Sequence, residues 1–158
     1  STVLPKAWAT ELSTLCDRHE HTIGETLAQE MRTLALGLLD VGQVSLSPTH
    51  GSLSPDHILI DPDWGLQLVG FSRSEYDPWV VDIVGLQSQW WAYSPDLESA
   101  FFTGYERALD KTDRLFLRAK YLIDSFAQWE DTHSRKSAKG EQTRSRRDLD
   151  SALGGTLF

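Results

Sequence analysis

The sequence predicts a mainly α-helical protein that carries a small β-hairpin, an α+β fold. Apolar residues recur at helical spacing over most of the chain. Two short strand-like runs flank a turn-rich quartet near its middle. With 158 residues, 40% of them hydrophobic, the chain is long enough to bury a core without disulfides or metal.

Two amphipathic helices are predicted over residues 6–18 and 22–39. Each contains apolar residues at spacings of three and four, which places them on one helical face. They are Trp8, Leu12, Leu15 and Cys16 in the first helix, and Leu27, Met31, Leu34 and Leu38 in the second. Gly42 follows the second apolar face closely enough to help end that helix.

The middle of the chain predicts an antiparallel hairpin, and the second half predicts two further helices. The strand-like runs 57–61 and 66–69 flank Pro62-Asp63-Trp64-Gly65, whose residue types favour a turn. Ser94-Pro95-Asp96 supplies a helix start, and Thr112 supplies an N-cap for the last helix. The apolar faces are Leu97, Phe101, Tyr105 and Ala108, then Leu115, Ala119, Leu122, Phe126 and Trp129.

The charge distribution divides the chain after residue 133. Residues 1–133 hold 9 basic and 20 acidic side chains, whereas residues 134–158 hold 6 basic and 3 acidic ones. We therefore predict a globular body over 1–133 and a basic, flexible tail over 134–158. The acidic body is expected to repel nucleic acid, and a nucleic-acid or anion-binding arm is the less favoured alternative for the tail.

The sequence predicts no membrane span and a cytoplasmic location. The longest aliphatic run, residues 34–39, is far shorter than the roughly 18 apolar residues that a membrane helix needs. Residues 1–8 lack the pattern of a secretory signal. Cys16 is the only cysteine, which excludes an intramolecular disulfide and fits a reducing compartment.

The segment from His50 to Asp61, H-G-S-L-S-P-D-H-I-L-I-D, resembles the catalytic loop of the aminoglycoside phosphotransferase and choline kinase-like family. That loop is H-G-D-x-x-x-x-N followed by I-L-hydrophobic-D, and the family has the protein-kinase-like fold. Asp77-Pro78 with Asp82-Ile83 resembles the family's D-P-x-x-D-L element with one extra residue, and Phe101–Leu109 resembles its F-x-x-G-Y helix. The resemblance covers about residues 30–125 and implies a kinase-like C-terminal lobe.

Three positions depart from the family's pattern. The resemblance places the family's catalytic Asp at Ser52, its metal-binding Asn at His57 and its magnesium-binding Asp at Gly70. A serine hydroxyl is not basic near neutral pH, and Mg²⁺ prefers oxygen ligands over imidazole nitrogen. The departures therefore imply no catalytic residue, no metal site and no cofactor.

The N-terminal lobe of a kinase-like fold is also not recognisable in the sequence. Such a lobe supplies a Gly-rich loop and a strand lysine for the nucleotide. The eleven glycines never form G-x-G-x-x-G, and none of the five lysines lies in a strand-like run. The chain therefore resembles a C-terminal lobe that lacks the N-terminal lobe.

The expected function is binding: a catalytically inactive, pseudokinase-like module would hold a peptide or protein partner, or dock on a chain that provides the N-terminal lobe. The candidate groove residues are His50, Ser52, Asp56, His57, Asp61, Asp77 and Asp82. One alternative is a divergent aminoglycoside-type phosphotransferase with ATP and magnesium as cofactors, in which acidic side chains would receive a cationic substrate. Another is an accessory protein in a peptide natural-product pathway.

Trp90 and Trp91 are predicted interface residues. Adjacent residues on a helix diverge by about 100°, so one of the two indoles is expected to face outward, where tryptophan often anchors a partner. Apolar surface left without an N-terminal lobe would favour a partner subunit or a homo-oligomer. The five histidines lack H-E-x-x-H spacing, and no metal site is predicted.

Overall fold

The computed structural model describes residues 3–63, 65–91 and 93–138. Its helices and strands are α1 (Leu4–Arg18), α2 (Glu25–Leu39), β1 (Ser47–Thr49), β2 (Ile58–Asp61), β3 (Gly65–Leu68), β4 (Glu75–Asp77), α3 (Val81–Leu86), α4 (Pro95–Tyr105) and α5 (Lys111–Ala138). Short 3₁₀ turns occupy Pro55–His57 and Phe71–Arg73, and a π-helical turn occupies Gln87–Trp91. The predicted mainly helical α+β class is confirmed.

The described residues form two compact units, one of residues 3–44 and 118–138 and the other of residues 45–117. In the first unit α1 packs on α2. The guanidinium of Arg118 in α5 donates two hydrogen bonds to the carboxylate of Glu30 in α2, at 2.6 and 3.0 Å. The fully buried core residues of this unit include Leu12, Met31, Leu38, Leu122 and Phe126.

The two N-terminal helices agree with the periodicity of the sequence, but Gly42 does not end α2. That helix stops at Leu39, and the backbone N–H of Asp40 still donates to the carbonyl of Leu36 at 3.2 Å. Asp40 keeps a right-handed helical conformation, so the helix ends without the left-handed residue that a glycine cap supplies.

The second unit contains two separate antiparallel ribbons. The predicted hairpin is confirmed as β2 paired with β3, in a register that places Ile58 opposite Leu68; Trp64 of its predicted turn lies outside the described residues. The sequence did not predict the other ribbon, in which β1 pairs with β4 and Thr49 lies opposite Glu75. Each of these strands has only three residues, too few for a visible alternation.

Helix α4 differs from its prediction in both length and burial. It ends at Tyr105, where Glu106 adopts a left-handed conformation with φ of 56°, so Ala108 lies beyond the helix. No residue of α4 is fully buried, and Leu97 is exposed. The apolar spacing was correct, but this face packs through partly exposed aromatic rings: those of Phe101 and Tyr105 stack at 5.3 Å.

Helix α5 is capped by Asp110 and not by Thr112. The N–H of Asp113 donates to Oδ1 of Asp110 at 2.7 Å, and the N–H of Asp110 donates back to Oδ2 of Asp113 at 3.3 Å. This reciprocal arrangement is a capping box. The helix continues to Ala138, five residues past the predicted boundary at 133, and residues 139–158 of the predicted tail lie outside the described residues.

The adjacent indoles of Trp90 and Trp91 point in different directions. Trp91 is 4% exposed and its ring contacts Phe101 at 5.2 Å, whereas Trp90 is 36% exposed. Both lie in the π-helical turn that follows α3. Among the described residues, no helix is long and apolar enough to cross a membrane.

Candidate functional site

The two ribbons bring together the loop before β2 and the segment after β3. His50 follows β1 directly, and its imidazole Nε2 lies 2.7 Å from the carbonyl oxygen of Val69. Because a carbonyl only accepts, Nε2 carries the proton. The other ring nitrogen, Nδ1, is buried and has no hydrogen-bond partner in the described part of the chain.

Asp82 of α3 holds the start of this loop. Its carboxylate accepts the backbone N–H of His50 at 2.8 Å and that of Gly51 at 2.9 Å. Hydrogen bonds to a charged acceptor are stronger than neutral ones. The carboxylate of Asp82 therefore acts as a structural acceptor for the loop backbone.

Two glycines allow close backbone contacts around the loop. Gly51 has φ of 78°, and a Cβ there would lie 2.0 Å from the carbonyl oxygen of Arg73. A Cβ on Gly85 of α3 would lie 2.1 Å from the carbonyl oxygen of Leu53. The loop is thus clamped between the segment after β3 and helix α3.

The imidazole of His57 is oriented by the loop backbone. Its Nδ1 lies 2.7 Å from the carbonyl oxygen of Ser52 and 3.2 Å from Oγ of Ser54. The short contact to a carbonyl fixes the proton on Nδ1, so the Ser54 hydroxyl faces a donor and not a base. This arrangement lacks the basic nitrogen that would activate the Ser54 hydroxyl as a nucleophile.

The same imidazole fills the space beside Gly70. Gly70 has φ of 86°, and a Cβ on it would lie 2.5 Å from Cδ2 and 2.9 Å from Nε2 of His57. The three positions that the resemblance singled out are therefore adjacent: the carbonyl of Ser52 accepts from His57, and the ring of His57 lies beside Gly70. The ring of His50 lies 5.2 Å from that of His57.

The remaining predicted acidic residues have different positions. Asp77 is a buried residue at the end of β4. Asp61 ends β2, and its Oδ1 accepts the N–H of Asp63 at 2.8 Å. Asp56 is exposed in the 3₁₀ turn before β2. The structure therefore brings His50, Ser52, His57 and Asp82 together. The carboxylate of Asp82 accepts backbone N–H groups of the loop.

Gly85 of this site was not singled out from the sequence, whereas Gly51 and Phe71 were noted only as members of the matched motifs. The ring of Phe71 contacts that of His50 at 4.5 Å. Gly85 carried only a general signal, since an isolated glycine inside a helical pattern can have a packing reason. The resemblance aligned Phe71 with the phenylalanine of the family's hydrophobic-D-F element but predicted no contact with His50.

The charge around the site is negative. Arg73 is the only Lys or Arg in residues 33–106, a stretch that contains ten Asp or Glu. In the part of the chain that the structure describes, no group of three or more His, Cys, Asp or Glu side chains is arranged to hold a metal ion.

No family model, curated protein or solved structure matches this chain significantly.

Proposed function

We propose that this chain is a phosphotransferase-like module without phosphotransferase activity, and that it binds a peptide or protein partner beside Ser52, His57 and Gly70. The observation that carries the proposal is the fit of the His57 imidazole against Gly70, with only 2.5 Å between Cδ2 and the position of a Cβ. A carboxylate at residue 70 and the present position of this ring exclude each other.

The electrostatics support the same proposal. Phosphoryl transfer depends on cations that neutralise the charge on the phosphates. The site offers one guanidinium within a strongly acidic stretch, which disfavours a polyanionic nucleotide. The acidic surface favours a partner with basic side chains instead.

The rigid loop supports a binding role. The carboxylate of Asp82, the close approach at Gly51 and the His57 imidazole hold the loop backbone in one conformation. A preorganised surface loses less conformational entropy when a partner binds. Ser52 and His57 are partly exposed and Gly70 is exposed, so a peptide can reach them.

Nucleotide binding tests the first half of the proposal. A ligand that binds the native state and is present at 100 times its Kd would add about 2.7 kcal/mol to the stability. Since we propose that the nucleotide does not bind, we expect no rise in the melting temperature of the full chain with millimolar ATP and Mg²⁺. Magnesium-dependent ATP turnover at a rate typical of kinases, about 1 to 100 per second, would contradict the proposal.

Peptide selection tests the second half. Among the peptides enriched from a random display library on the immobilised full chain, we expect a group that loses binding to the Ser52→Tyr variant, which blocks the surface beside His57. They should keep binding to Asp17→Asn, a change at an exposed residue of α1. If every enriched peptide bound both variants equally, the surface beside Ser52 and His57 would not be a binding site.

A further inference from the structure

The β2–β3 ribbon presents an exposed apolar face. Ile58 pairs with Leu68 and Ile60 with Leu66, and alternate residues of a strand point to the same side. These four side chains therefore share one face. Ile60 is 84% exposed and Leu66 is 65% exposed, although such a cluster normally belongs inside a fold or at an interface.

The outer edge of β3 is unpaired within the described residues. The N–H of Val69 donates inward to the carbonyl of His57 at 3.0 Å. Since inward and outward groups alternate along an antiparallel strand, the N–H and C=O groups of Leu66 and Leu68 point away from β2. In the described part of the chain β3 pairs only with β2, and all four of its residues are exposed.

Acidic side chains lie at both ends of the ribbon. Asp56 lies in the turn before β2 and Asp63 in the turn before β3, and both are exposed. Residues 33–72 contain no Lys or Arg. The ribbon is therefore an apolar strip between two negative ends, and it complements a strip that is apolar in the middle and basic at its ends.

We propose that the outer edge of β3 binds one extended strand of a partner polypeptide, with alternating aliphatic side chains and Lys or Arg on both sides. Four residues of β3 span about 13 Å, which sets the aliphatic core of that strand at about four to five residues. Its backbone pairs with Leu66 and Leu68, its aliphatic side chains extend the apolar face, and its basic ends meet Asp56 and Asp63.

This inference goes beyond the proposed function, because it concerns a second binding surface of the same chain. The ribbon face does not include Ser52, His57 or Gly70, so substitutions separate the two surfaces. Strand addition explains why an apolar face and an open edge occur together: the edge gives backbone hydrogen bonds, and the face gives side-chain specificity.

The test measures fluorescence anisotropy of labelled synthetic peptides with the full chain. The first peptide alternates Ile or Val with Thr between pairs of Lys. Three counterpart peptides each differ from it in one respect. One carries Glu in place of Lys, the second places the same residues at helical spacing, and the third is N-methylated at alternate amides. We expect the first to bind, and each counterpart to bind at least about tenfold more weakly, because each removes one of the proposed interactions.

Variants of the full chain locate the binding surface. Ile60→Ser with Leu66→Ser should weaken binding of the first peptide at least about tenfold. The matched control is Leu36→Ser with Leu39→Ser, since these α2 side chains are 65% and 52% exposed, and it should leave the affinity unchanged. Circular dichroism of each variant checks that the fold is retained.

Charge variants test the acidic ends. Asp56→Asn with Asp63→Asn should weaken binding about three- to tenfold at low salt, and the difference should vanish near 1 M salt because the charges are screened. Asp17→Asn with Asp40→Asn removes the same charge from other exposed positions and should have no effect.

Several outcomes would overturn the inference. They are equal binding of the Glu-flanked or helically spaced peptide, no binding of the first peptide, and unchanged affinity of the ribbon variants. Dimerisation of the full chain that the ribbon substitutions abolish would assign the edge to a second copy instead. Magnesium-dependent ATP turnover with intact strand binding would contradict the proposed function alone and leave this inference standing.

Discussion

The imidazole of His57 and the missing side chain of Gly70 depend on each other, because a Cβ on Gly70 would lie 2.5 Å from Cδ2 of the ring. Gly70 also has a positive φ of 86°. The glycine thus accommodates both a left-handed backbone and a neighbouring ring.

We predict that His57 and Gly70 are energetically coupled. Gly70→Ala should destabilise the chain by about 2 to 4 kcal/mol through backbone strain and the clash with the ring. In a His57→Ala background the same change should cost only about 1 kcal/mol. Urea unfolding of the four proteins of this double-mutant cycle measures the difference.

Gly65→Ala is the control for that cycle. Gly65 has φ of 74°, but among the described residues no atom outside its chain neighbours lies within 4 Å of the position of its Cβ, so only strain of about 1 kcal/mol is expected. If Gly65→Ala and Gly70→Ala had equal costs, and the background at residue 57 made no difference, the contact would have no energetic role.

Asp82→Asn should loosen the loop that starts at His50. The substitution replaces the carboxylate that accepts two backbone N–H groups with an amide that has one accepting oxygen, and we expect a cost of about 2 kcal/mol. Hydrogen exchange should show faster exchange of the His50 and Gly51 amides. Unchanged exchange at both amides would show that other contacts hold the loop.

Gly85→Ala should destabilise the chain although it places a better helix former in α3. The new Cβ would lie 2.1 Å from the backbone oxygen of Leu53, and overpacking of this kind costs about 1 to 3 kcal/mol. The Cβ of Gly104→Ala in α4 would meet no atom within 4 Å in the described part of the chain beyond its own helical turn, so it should stabilise by about 0.5 to 1 kcal/mol. Thermal unfolding measures whether each substitution raises or lowers the melting temperature. A higher melting temperature for Gly85→Ala would contradict the close approach of Gly85 to Leu53.

Glu130 should make stability depend on acid pH. Burial raises the pKa of its carboxyl, but hydrogen bonds from Arg18 and His19 outweigh burial and hold the pKa below its ordinary value of 4.5. This contribution to stability is present above pH 4.5 and is lost as the pH falls through the lower pKa of the folded state.

Glu130→Gln measures that contribution. The difference in urea midpoint between the natural chain and the variant should be larger at pH 7 than at pH 3, whereas Glu11→Gln at an exposed position of α1 should show no such change. An equal difference at both pH values would show that the paired charge adds no stability.

The sequence predicted the features that repeat along the chain. Periodic apolar residues located α1 and α2, and the strand-like runs around residue 63 located the β2–β3 hairpin. The β1–β4 ribbon was missed because it pairs three-residue segments that are separated in the chain and show no alternation. The choice of Asp110 over Thr112 as the helix cap depends on the loop geometry before α5.

The candidate site was predictable only in part. Motif spacing identified Ser52, His57 and Gly70 as positions to compare, but residues 57 and 70 are thirteen apart and nothing in the sequence places an imidazole against a glycine. The role of Asp82 as a backbone acceptor was also not predictable, because the residue type does not distinguish an aspartate that binds substrate from one that accepts backbone hydrogen bonds. These relationships arise from the tertiary fold.

We predict that the site around His57 does not hold a divalent cation with a nucleotide. The most direct measurement is paramagnetic broadening of the histidine C–H signals in NMR spectra of the full chain on titration with Mn²⁺ and ATP. We predict that the signals of His57 and His50 broaden no more than that of His133 in α5. Selective broadening at His57 that requires both Mn²⁺ and ATP would contradict the account.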